Sequence, residues 1–138
     1  MIGKTIKELR IGDAAFFQKT ITDADVVLFA GVTGDMNPVH INEVYAKESM
    51  FKKRICHGGL VAALFSTVLG TTLPGYGTIY LGQNSKFVKP VYLNDTIKAT
   101  VEVVEIIESK NRVILKTTAT NQNDEVVITG EATVMPPR

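Results

Sequence analysis

A chain of 138 residues is about one domain long and can bury a core of its own, so residues 1–138 are expected to form a single domain. Its 15 basic and 14 acidic residues leave a formal charge of +1, which excludes a field strong enough to draw nucleic acid or a membrane surface, so an anionic ligand must be met by local residues. The one cysteine, Cys56, excludes an internal disulfide and, with only two histidines, argues against a Cys/His zinc cluster; it fits a reducing cytoplasm.

The N-terminus is charged from Lys4 onward and lacks the apolar core of a secretory signal. Residues 9–13 read as an entry turn and residues 14–20 as a short strand with Phe16 and Phe17 on opposite faces. Thr22 followed three residues later by Asp25 resembles a capping box in acidic form. Val26, Val27, Phe29 and Ala30 then supply an apolar stripe for a helix that should stop at Gly31-Val32-Thr33-Gly34. Residues 42–46 read as a second short helix or turn, and residues 47–54 as a basic loop.

Between Arg54 and Lys86 there is no Asp, Glu, Lys or Arg, so this stretch is expected to be buried. Residues 60–69 are apolar on every face and bounded by glycines, which predicts a core helix ending at Gly70 or Leu73. The apolar run is far too short to span a bilayer. From Tyr76 onward the period becomes two. A strand or two pieces around Gly82 is expected over 77–92, then strands over 96–103 (Ile97, Ala99, Val101 and Val103 inward), about 112–119 (Val113, Leu115, Thr117 and Ala119 inward) and 126–135. One sheet wrapped on one apolar helix satisfies this order. In a small monomer such a sheet leaves helix surface and strand edges open, so a dimer continuing the sheet is expected.

Chemistry-bearing residues concentrate in Asp35-Met36-Asn37-Pro38-Val39-His40, which should be a fixed loop able to aim Asp35 and His40 at one point. The bland alternative is a helix end followed by an ordinary Asp/Asn/Pro turn. The second histidine, His57, precedes Gly58-Gly59 at the start of the apolar helix, where free N–H groups make an oxyanion pocket; alternatively His57 caps the helix and the glycines only permit a tight turn. Ser66, about two and a half turns further on, is placed to line a pocket but has no nucleophile elbow around it. Cys56 reads as an inert small hydrophobe, and Lys52, Lys53, Arg54, Lys86 and Lys89 as a solvated basic face able to meet phosphates.

Taken together, Asp35-x-Asn37-Pro38-x-His40, then His57-Gly58 and the apolar helix, resemble the hydratase-2 motif of the MaoC-like (R)-specific enoyl-CoA hydratases. The resemblance runs nearly the full length, through Leu64-Phe65-Ser66, Leu73-Pro74-Gly75, Tyr80-Leu81-Gly82-Gln83 and Thr129-Gly130-Glu131-Ala132. It implies an α+β hotdog fold: an antiparallel sheet wrapped around a long central helix, with a short helical overhang carrying the catalytic loop, in a homodimer.

The activity implied is hydration of trans-2-enoyl-CoA to (R)-3-hydroxyacyl-CoA, with Asp35 and His40 gripping the water and Gly58 N–H taking the thioester oxygen. Asn37 and His57 would support the loop, and Ser66 and Leu69 would shape the acyl pocket. The apolar helix is expected to bury Asp35. No cofactor and no metal is called for. The partner is an acyl-CoA of short to medium chain, or the equivalent thioester on acyl carrier protein, and relatives serve polyester-monomer supply and fatty-acid metabolism. The alternatives are a hotdog thioesterase, which needs no such loop, and a non-catalytic acyl-binding module, which needs no acid and imidazole together.

Overall fold

Where small and β-branched residues alternate with polar ones, the backbone extends and its apolar face seeks a partner surface. In the computed structural model, which describes residues 1–138, these segments are β1 (Ala14–Thr20), β2 (Ile79–Phe87), β3 (Thr96–Ile107), β4 (Arg112–Thr120) and β5 (Val126–Met135). The helices are α1 (Asp23–Thr33), α2 (Pro38–Ile41), α3 (Glu43–Glu48) and α4 (Gly58–Thr71). The strands form one antiparallel sheet in the order β1-β3-β4-β5-β2.

The inward residues expected on β3 and β4 are all buried, and α4 packs onto the sheet with Val61, Leu64, Phe65, Val68 and Leu69. Helix and sheet residues join in one hydrophobic cluster. Phe65 is fully buried at its centre, and truncating such a side chain to alanine costs roughly 3–5 kcal/mol. The capping box is present: Asp25 N–H donates to Thr22 Oγ1 and Thr22 N–H to the Asp25 carboxylate. Gly34, at φ 82°, supplies the left-handed residue that ends α1.

Three expectations need correction. The segment 35–40 is not wholly a loop: Asn37 caps, and Pro38 opens, the single helical turn α2, because proline at the first helical position loses no hydrogen bond and is already set at a helical φ. The charge-free stretch is only partly buried in one chain. Ile79, Tyr80 and Leu81 of β2 are 53%, 37% and 44% exposed, because β2 is an edge strand with β5 on one side only. Nor is α4 buried all round, since Gly59, Ala63 and Ser66 face outward.

Candidate active site

Local hydrogen bonding shapes the turn after α1. Asp35 N–H donates to Thr33 Oγ1 (3.1 Å), Asn37 N–H to Asp35 Oδ1 (3.2 Å) and Val39 N–H to Asn37 Oδ1 (3.2 Å). Each Asp or Asn side chain thus holds the backbone two residues on, as such residues do in turns. Pro38 carries the chain into α2, whose end presents His40.

His40 is 8% exposed, and its Nδ1 lies 2.8 Å from the Ile55 carbonyl. A carbonyl oxygen only accepts, so Nδ1 carries the hydrogen and Nε2 keeps a free lone pair. Burial is the main force holding His40 below the usual histidine range. The adjacent His57 pushes the same way, while the Ile55 bond and Asp35 oppose it.

His57, 2% exposed, stacks on His40 with ring centroids 3.9 Å apart, and Phe29 packs against it at 4.8 Å. Its Nε2 donates to the Asp35 backbone carbonyl at 3.1 Å, while its Nδ1 is buried without a hydrogen-bond partner. His57 therefore ties the acid's backbone to the imidazole's face. Polar atoms of Asp35, His40 and His57 lie within 4.8 Å of one another. The two rings are nearly parallel, at 27°, and each already gives one nitrogen to a carbonyl, a poor arrangement for converging on a metal ion.

His57 is the N-cap of α4 by backbone position, yet its side chain makes no capping bond. The Gly58 and Gly59 N–H groups therefore keep their capacity to bind an oxygen, while Leu60 N–H already donates to the His57 carbonyl at 3.1 Å. Gly58 and Gly59 share with His40 a cavity of about 540 Å³, whose walls include Phe51, Val61, Phe87, Val91 and Ile128. A Cβ at Gly58 would come within 2.7 Å of the Phe87 ring, so only glycine fits there without moving that ring.

Asp35, Asn37, His40 and His57 lie together in the structure, and Gly58 shares the cavity wall with His40. Asp35 differs from expectation in being exposed, because it stands on the turn outside the helix–sheet core. Ser66 is exposed on α4 and Leu69 is 1% exposed in the core; neither lines the cavity beside Gly58. Cys56 does line it, but burial pushes its thiol up to about 12, leaving it inert near neutrality.

Of the basic cluster, Lys53 lies over the Tyr92 ring and Lys89 pairs with Glu125. Arg54 is a different case. Its side chain is only 10% exposed and reaches the His40 backbone. Sequence reading grouped it with solvated lysines, and its one distinguishing sign was its place at the border of the charge-free stretch. Phe51, Phe87 and Ile128 carried no sign, since tertiary folding alone brings them to one cavity.

The chain belongs to the MaoC-like family: the family description "MaoC like domain" matches residues 10–126. It is 48% identical over 131 residues to the (R)-specific enoyl-CoA hydratase of Rhodospirillum rubrum, covering 95% of this chain and 90% of that protein. To the 3-hydroxybutyryl-CoA dehydratase of Methylorubrum extorquens it is 42% identical, covering 96% of this chain and 83% of the other. Among solved structures it resembles the R-hydratase PhaJ1 from Pseudomonas aeruginosa, with TM-score 0.93, 45% identity, and coverage of 99% and 87% of the two chains. The observed sheet and central helix are thus the hotdog fold of that family.

Proposed function

We propose that this protein is an (R)-specific enoyl-CoA hydratase, adding water to a trans-2-enoyl thioester and catalysing the reverse dehydration. One observation carries the reading. A carboxylate and a neutral imidazole converge beside an uncapped helix N-terminus, and the imidazole and that helix end line one apolar cavity. Kinship with the (R)-specific hydratases and the dehydratase described above supports it.

Asp35 and the free Nε2 of His40 hold one water. Asp35 takes a proton as the water oxygen bonds to C3, and a proton is returned to C2 on the same face, so the elements of one water are added. Negative charge growing on the thioester oxygen is met by Gly58 N–H, a donor of the kind whose loss costs about 2.7–4 kcal/mol. Asn37 fixes the turn, and His57 holds the Asp35 backbone and the His40 ring. The acyl pocket is assigned to Ser66 rather than to the core-buried Leu69, with each methylene shifting preference by about 1–3 kcal/mol.

Short to medium chains on CoA are the preferred substrates, with carrier-protein thioesters as the alternative. The working form is a homodimer built on two open surfaces: the apolar β2 edge and the small-residue face of α4 at Gly59, Ala63 and Ser66. Ser66 lies on that face, so a pocket using it closes only when a second copy covers it. No helix is long and apolar enough to cross a membrane, and a reducing cytoplasm suits the free Cys56.

The test is incubation with crotonyl-CoA and hexenoyl-CoA, following loss of the enoyl thioester and the chirality of the product. (R)-3-hydroxyacyl-CoA is expected; free CoA without hydroxyacyl-CoA would replace the hydratase by a thioesterase.

A further inference from the structure

Arg54 is a charged side chain held almost out of water, and a buried cation needs partners that repay its desolvation. Its Nε donates to the His40 backbone carbonyl at 2.6 Å and its Nη2 to Asp23 Oδ1 at 2.7 Å, while Nη1 lies 3.8 Å from Glu43. The guanidinium thus joins the first turns of α1 and α3 to the last residues of α2. A planar fork is suited to serving such partners at once, which the single ammonium of lysine is not.

The residues after Arg54 continue this connection. Ile55 N–H donates to the Val39 carbonyl at 3.2 Å, Cys56 N–H donates to the Val91 carbonyl at 2.7 Å, and Ile55 bridges to Tyr92. The Ile55 carbonyl in turn accepts from His40 Nδ1. Side chain and adjoining backbone therefore hold His40 from two sides, its carbonyl by Arg54 and its ring by Ile55.

We propose that Arg54 is a positioning residue of the hydratase site: by clamping the His40 carbonyl and seating the neighbouring Ile55 carbonyl, it keeps His40 in the Nδ1–H tautomer with Nε2 turned to the water. This role rests on the hydratase reading for its effect on rate, but its effect on the ring stands apart from any assay. A misplacement of about 1 Å in a catalytic group is enough for a rate loss of about a hundredfold.

Arg54→Lys, Arg54→Gln and Asp23→Asn are compared with the unaltered protein by steady-state kinetics on crotonyl-CoA and by nitrogen NMR of ¹⁵N-labelled histidine, where two histidines give an easily assigned spectrum. In the unaltered protein His40 is expected as the Nδ1–H tautomer. Both Arg54 variants should shift it towards a tautomer mixture and lower kcat by about tenfold to a hundredfold, with KM within about twofold. Asp23→Asn, which leaves the bond to His40 in place, should do both to a smaller extent. If Arg54→Gln does not fold, Arg54→Lys and the exposed-site Asp23→Asn decide the matter. An unchanged tautomer in the folded Arg54 variants, with or without a fall in kcat, overturns the proposal. Absence of hydration by the unaltered protein would overturn the hydratase reading while the tautomer spectra still judge Arg54.

Discussion

His40 shows how one side chain's surroundings choose its chemistry. The Ile55 carbonyl fixes its proton on Nδ1, and burial keeps the ring neutral below the usual histidine range. An imidazole in that state can accept a proton or orient a water at Nε2 when most histidines would be charging. Asp35→Asn and His40→Gln are each expected to lower kcat by about 10²-fold or more with the fold intact, as judged by circular dichroism and turnover of crotonyl-CoA. A near-normal rate would remove that residue from the mechanism.

The same depressed pKa sets a pH dependence. Because the unfolded chain takes up the histidine proton first, this contribution to stability is complete above 6.5. It declines as pH falls below 6.5, until the folded pKa is passed. Asp25, held low by Lys19 and the capping bond to Thr22, acts only further down: its contribution is present above 3.8 and lost as pH falls through its folded pKa. Thermal melts of His40→Gln should therefore be flatter than those of the unaltered protein just below pH 6.5. The acid limb of kcat/KM should also lie below 6.5; a limb above it would contradict a neutral, depressed His40.

At the scale of elements, α2 matters most although it is a single turn. Such a turn has no cooperative stability of its own and depends on its cap and its tertiary ties. Asn37→Ala removes the bond to Val39 N–H, a loss of about 1 kcal/mol for a typical cap. It is expected to lower Tm by a few degrees and kcat by about tenfold, since the turn aims both Asp35 and His40. Asn37→Asp, which keeps an acceptor there, should restore most of the Tm in a thermal melt; equal losses in both variants would show that the cap is not what matters.

For the whole molecule, the open question is what covers β2. Its exposed Ile79, Leu81 and Phe87 are apolar side chains on an edge that isolated chains ordinarily protect, and the other edge, β1, is shorter. A second copy adding its own β2 would cover it and close the Ser66 face of α4. Sedimentation is expected to give a dimer for the unaltered protein and a monomer with reduced turnover for Leu81→Lys. A monomeric unaltered protein with full activity would dispose of the dimer.

The period-two alternation of residues 96–135 and the glycine-bounded apolar run determined the sheet and α4, because burying one face of each leaves few other arrangements. The local chemistry of 35–40 likewise determined its turn, since Asx bonds and proline act within a few residues, and it marked Asp35 and His40 as the candidate pair. Tertiary structure alone decided the tautomer of His40, the stack with His57, the cavity at Phe87 and the reach of Arg54 to His40. Each of these depends on groups far apart in the chain, such as Ile55 against His40 or Phe87 against Gly58. Only packing, with no nearby-residue pattern to announce it, brings them into contact.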